Sequence, residues 1–127
     1  MVRFLLVCVG GAIGSGARYL VGLWSLAKLG PAFPYGTLTV NAVGSFLICV
    51  VMHLTVTAKV LPANLGLFLT TGIMGGFTTY STFDYETFKY AQGGAYGLAG
   101  LYVGATLVLC FGAGFAGDAV AKLVARG

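Results

Sequence analysis

The chain has 127 residues, 58% of them hydrophobic and 8% charged, with a mean hydropathy of +0.95. A soluble domain carries roughly 25% charged residues, so the composition excludes one and specifies an integral membrane protein. The net charge of +4 comes from seven basic residues scattered as Arg3, Arg18, Lys28, Lys59, Lys89, Lys122 and Arg126, whereas a nucleic-acid binder gathers them on one face. No nucleic-acid partner is expected, and the basic residues read as anchors at the ends of apolar runs. At about 20 residues per crossing, the expected fold is an all-α membrane protein. It has four transmembrane helices in one domain over residues 1–127, with no soluble module.

The first apolar run, Phe4 to Leu26, could begin as a secretory signal, with Gly10 to Ala17 as its cleavage region. Apolar sequence resumes after Arg18, which favours a first transmembrane helix. Gly10 and Gly14 give it a small-xxx-small face for close helix contact. Arg18 lies about 12 Å from the end of the run at 1.5 Å per residue. Either its stem snorkels to the interface, or it is a cation lining a vestibule that draws anions.

The segment Lys28–Tyr35, with its two prolines, turns the chain into a second span from Gly36 to Ala58. Asn41 is the polar residue deep within it. An amide there either ties helices together or donates to a translocated ion. His53, near the far end, reads as an interfacial imidazole. Cys8, Cys49 and Cys110 each sit in an apolar run and are expected to be free thiols.

A third span starts at Leu65 and should break, because it contains Gly72, Gly75 and Gly76 followed by Thr78, Thr79, Tyr80, Ser81 and Thr82. Glycine costs roughly 1 kcal/mol of helix propensity, and hydroxyls offer the backbone competing hydrogen bonds. In hydrocarbon a broken backbone survives only where it is buried in protein or lines a cavity, so the functional site is expected here, with the break at mid-membrane. A second half-helix should begin near Ser81, with Ser81-x-x-Asp84 as a capping box. The fourth span runs from Ala95 to Gly117. Gly93, Gly97, Gly100 and Gly104 offer close packing on one of its faces, and Tyr102, Thr106 and Cys110 form a stripe on another. The two hydroxyls of that stripe either satisfy their own helix or make a polar track.

With the amino terminus inside, Arg3, Lys59, Lys122 and Arg126 lie on that side against Arg18, Lys28 and Lys89 on the other. The positive-inside rule needs a clear excess, so insertion in both orientations is expected. Four thin helices cannot enclose a pathway alone, which implies a homo-oligomer, an antiparallel dimer being permitted.

No metal-ligand spacing, nucleophile–base pair or phosphate loop occurs, and no enzyme is expected. Neutral hydroxyl and amide donors lie beside Phe77, Phe83 and Phe88, whose rings carry a positive edge. Such a set suits a small anion, although plain core packing also accounts for the phenylalanines.

Three stretches then point to one family. GIMGGFTTYSTF, at Gly72 to Phe83, resembles the GxxGGxTTFSTF signature of the Fluc (CrcB) fluoride channels; GGAIGSGARY, at Gly10 to Tyr19, resembles their GGxxGAxxRY, and GTLTVNAVGSF, at Gly36 to Phe46, their GTxxVNxxGSF. The resemblance implies a passive fluoride-selective channel of the bacterial inner membrane that relieves cytoplasmic fluoride. It also implies an antiparallel dual-topology homodimer with two pores. Asn41, Tyr80 and Phe83 would line each pore, Ser81, Thr82, Tyr102 and Thr106 would continue a polar track, and Arg18 would attract anions at the vestibule. Backbone carbonyls of Gly75 and Thr78 from both subunits would hold a structural sodium ion, glycine permitting an outward-turned carbonyl.

Two positions depart from the family pattern. Tyr80 stands where the motif has phenylalanine, and Cys110 where serine or threonine is common. A small proton-coupled multidrug exporter would fit the size, but it needs a buried carboxylate, and Asp84 and Glu86 are expected towards an interface. A membrane assembly subunit would leave the hydroxyl run without purpose.

Overall fold

Long apolar runs free of internal proline become helices, and the computed structural model, which describes residues Met1–Gly127, contains no strand. Its helices are α1 (Val2–Leu29), α2 (Tyr35–Thr57), α3 (residues 63–77), α4 (Tyr80–Gln92) and α5 (Tyr96–Arg126). α1, α2 and α5 are each long and apolar enough to cross a membrane. α3 and α4 are the two parts of the third expected span, one on each side of its break. The last turns of α2, His53–Thr57, and the middle of α3, Phe68–Met74, are widened into π-helix.

Only 14 of the 127 residues are buried, while Phe4, Trp24, Phe111 and Phe115 are all more than half exposed. A single copy in water would not tolerate that surface; the chain is a multi-pass membrane protein. Because lipid tails are as apolar as leucine, its helices are held by close packing and hydrogen bonds rather than by the hydrophobic effect.

The closest packing is between α1 and α3, where the expected Gly10/Gly14 face is used. A Cβ at Gly10 would lie 2.8 Å from Gly72 Cα and from Phe68 O; one at Gly14 would overlap Ile73 O, and one at Gly76 would overlap Gly11 O. Backbone touches backbone along this seam. Across the bundle, α2 meets α5, where Gly117 lies against Phe46 O and Gly114 against Cys49 Sγ.

α5 extends nine residues beyond the expected end at Gly117. Gly117 is a packing residue rather than a helix stop, and Asp118 continues the helix through an i,i+4 ion pair with Lys122 at 2.6 Å. The other expected glycine face of this helix differs too. Gly97, Gly100 and Gly104 have nothing within 4 Å of where a Cβ would be, so they pack against nothing in this chain.

Gly30 (φ 78°) and Gly94 (φ 79°) take left-handed conformations that suit glycine after helices α1 and α4, and Lys59 (φ 57°) takes one without that excuse. The third passage breaks as expected, within the hydroxyl run that follows the glycine pair. Gly75 is helical (φ −59°, ψ −38°), whereas Thr78 (φ −83°, ψ 159°) and Thr79 (φ −152°, ψ 119°) are extended. β-Branched residues accept extended backbone readily. The glycines stay helical, and Gly76 lets α3 approach α1. Gly75 therefore has no left-handed carbonyl to explain it, and a Cβ there would meet only Thr70 O at 3.8 Å.

Candidate functional site

Breaking a helix orphans carbonyls before the gap and amides after it. Their new partners define the site. The Thr79 N–H, which would have bonded Gly75 O, donates to Asn41 Oδ1 at 2.7 Å, and Asn41 Nδ2 donates to Thr79 O at 3.0 Å. One amide side chain thus pairs with both main-chain polar groups of one residue. The Thr82 N–H, which would have bonded Thr78 O, donates to Thr79 Oγ1 at 3.2 Å, while the Thr79 hydroxyl donates to Thr82 Oγ1 at 3.0 Å. Thr79 is consequently the N-cap of α4. The expected Ser81-x-x-Asp84 box does not form, since α4 starts at Tyr80, one residue too early for Ser81 to cap it.

One orphaned carbonyl is answered from elsewhere: Arg18 Nε donates to Gly76 O at 2.9 Å, which ties α1 to the break. Met74 O keeps its helical donor, Thr78 N, at 3.0 Å and also accepts from Thr78 Oγ1 at 2.8 Å. Arg18 is half-buried and its two terminal nitrogens have no partner in the chain. Gly75 O and Thr78 O lose the donors they would have had in an unbroken helix. No group of three or more His, Cys, Asp or Glu side chains lies together.

On the opposite side of the break from α1 is a cavity of about 320 Å3 between α2, α4 and α5, whose walls include Asn41, Thr79, Tyr80, Phe83 and Thr106. Its wall is neutral. Phe83 sits edge-on to Tyr80 at 5.8 Å and to Tyr102 at 5.0 Å between ring centres. Tyr80 is 79% exposed and Tyr102 fully buried. Of the residues expected to form the pathway, Asn41, Tyr80, Phe83 and Thr106 come together here. Ser81 and Thr82 do not line the cavity: Ser81 is exposed and Thr82 is engaged by the Thr79 cap. Of the other phenylalanines, Phe77 packs near Gly14 and Gly44, and Phe88 is exposed.

The two hydroxyls of α5 differ from each other, and neither satisfies its own helix. Tyr102 donates to Glu86 Oε2 at 2.6 Å, and Thr37 donates to the other carboxylate oxygen at 2.7 Å. Thr106 Oγ1 is buried and has no partner at all. Glu86 and Thr37 did not stand out in the sequence. The available signal was Tyr102 itself, because a phenol deep in an apolar helix needs an acceptor and the chain offers only three carboxylates, Asp84, Glu86 and Asp118.

The family model described as "CrcB-like protein, Camphor Resistance (CrcB)" matches residues 5–118. The chain belongs to the CrcB family. Among CrcB relatives, the fluoride-specific ion channel FluC of Anaeromyxobacter sp. (strain K) is 49% identical over 125 residues, covering 98% of this chain and 99% of its own. That of Agrobacterium fabrum is 47% identical over 122 residues, covering 96% and 98%. That of Sorangium cellulosum is 43% identical and covers both chains completely. The CrcB match spans both sides of the break, from α1 to the start of the α5 extension.

Proposed function

We propose that this chain is a passive, fluoride-selective channel of the bacterial inner membrane that lets toxic cytoplasmic fluoride escape. The observation that carries the reading is the Thr106 hydroxyl, buried without a partner in the wall of a neutral cavity beside a broken helix. A buried polar group left unpaired costs about 1–3 kcal/mol, and a small anion passing through the cavity would accept its proton. One of the two Asn41 amide hydrogens remains for the same use, since the other is given to Thr79 O. The edges of Phe83 and Tyr80 supply weak positive contacts without a fixed charge that would trap the ion. Full-length relatives that carry the name fluoride-specific ion channel support the same ion.

The finer parts of the reading follow from what one copy leaves open. The glycine face Gly97, Gly100 and Gly104 is uncovered, and Tyr80 is exposed. An antiparallel homodimer, allowed by the balanced positive charges, would cover these surfaces and enclose two pores, with the breaks at mid-membrane. A structural sodium fits the donor set there. The carbonyls of Gly75 and Thr78 have lost their helical donors to Asn41 and Thr79, and hard cations favour oxygen ligands. Sodium would supply the positive charge that those oxygens lack, and the free guanidinium nitrogens of Arg18 would draw anions towards the same level.

The exporter alternative needs a carboxylate able to exchange protons for a cationic drug. Glu86 is half-buried, but both its oxygens are held by Thr37 and Tyr102. Reconstitution of the purified chain in liposomes separates the two. Fluoride efflux far above chloride efflux, with no proton requirement, is expected; proton-driven drug uptake without fluoride efflux would replace the channel with the exporter.

A further inference from the structure

The groove between α2 and α5 does not stop at the broken helix. The cavity bounded by Asn41 and Phe83 shares Ser45, Thr106 and Cys110 with a second cavity of about 760 Å3, which reaches His53 and Asp118. The two form one continuous trough from the break to the end of the bundle where α2 finishes. At that end His53, the only histidine in the chain, is 11% exposed, and its Nδ1 lies 2.8 Å from Asp118 Oδ1; Lys122 Nζ holds the other carboxylate oxygen at 2.6 Å.

A carboxylate only accepts, so in the neutral ring the proton sits on Nδ1 and Nε2 carries a lone pair. Nε2 has no partner in the chain. In that state the charges of Lys122 and Asp118 cancel, and the trough ends in an acceptor, which repels an anion. One more proton converts Nε2 into a donor and leaves the cluster with a net charge of +1. Of the elements that touch the last turn of α2, α3 carries no charged side chain and α5 supplies Asp118 and Lys122; Lys59 follows that turn, and Cys49, Cys110 and Tyr80 are the remaining titratable groups along the trough.

We propose that His53, positioned by Asp118 and Lys122, is the anion-recruiting site at this end of the trough, and that its protonation speeds fluoride entry. The proposal rests on the channel reading. Protonation adds a donor and a charge where the trough opens, and a charge at a low-dielectric mouth raises the local concentration of its counter-ion. Histidine is the side chain whose charge changes in the physiological range.

The test is potassium fluoride efflux from liposomes at equal pH on both sides, clamped with valinomycin, with the leak of protein-free liposomes subtracted. Between about pH 8 and pH 5.5, where an imidazole changes charge, the rate should rise about threefold or more. His53→Gln should stay flat at the slow rate, and His53→Lys should be fast throughout. A wild-type rate independent of pH, or His53→Gln retaining the wild-type slope, would overturn the proposal while leaving the channel reading intact. Absence of fluoride flux at every pH would overturn both. Because the chain has one histidine, NMR of the labelled imidazole gives a readout that needs no variant: replacing chloride with fluoride should move its titration midpoint to higher pH, and an unmoved midpoint counts against the site.

Discussion

The α1–α3 seam and the α2–α5 trough flank the same broken passage and are built in opposite ways. Along the seam, glycines bring main chain onto main chain, leaving no room for a side chain or an ion. Along the trough, Asn41, Thr79 and Thr106 line an open cavity. Two of these residues also repair the broken backbone, Asn41 holding Thr79 and Thr79 capping α4. A broken helix is tolerable here because one side is sealed by contact and the other by hydrogen bonds.

The seam is the harder side to alter. Gly14→Val drives a side chain into Ile73 O and should cost about 3 kcal/mol or more, so no monodisperse protein is expected on size exclusion in detergent. Gly75→Ala, three positions along α3 from Gly72, meets only Thr70 O at an ordinary contact distance and should unfold no earlier than wild type. If both glycines tolerate substitution equally, the seam is not a backbone contact.

On the trough side, Asn41→Leu leaves both polar groups of Thr79 unpaired. At about 1–3 kcal/mol for each orphaned group, it should lower the melting temperature clearly and abolish fluoride efflux. A stable Asn41→Leu variant would show that the break is held by something else. Thr79→Val removes the cap alone and should cost about 1 kcal/mol, with Thr79→Ser recovering most of it in the same melting experiment. Tyr80→Phe is the mildest change, since the hydroxyl makes no bond within the chain. Stability should stay within about 0.5 kcal/mol while fluoride flux rises, and equal rates would show that the Tyr80 hydroxyl stays clear of the ion.

The contrast between the two sides also explains what could be read from the sequence. Gly10 and Gly14 at i,i+4 spacing, and the third passage with its hydroxyl run, were legible because each follows from local chemistry. The exact residue of the break was not. Glycine propensity pointed to Gly75 and Gly76, but α1 approaches Gly76 so closely that its absent side chain is needed for packing, and the chain turns at Thr78 instead. α5 passed Gly117 for a related reason: the partners of Gly117 and Asp118, Phe46 and His53, lie more than sixty residues away in sequence. Asn41 was visible as an anomaly, while its partners, the main-chain N–H and C=O of Thr79, are groups that sequence does not mark. Thr37 and Glu86 were hidden because a carboxylate expected towards an interface ordinarily faces water.

Thr106→Val gives the most direct test of the trough as the ion's path. Valine has nearly the shape of threonine, and the hydroxyl it removes is buried and unpartnered, so the folded chain should melt no lower than wild type. Fluoride efflux from liposomes should nevertheless fall about tenfold, the scale of one lost hydrogen bond to a charged group. Efflux equal to wild type, from a variant equally well folded, would contradict the account and place the ion's route elsewhere.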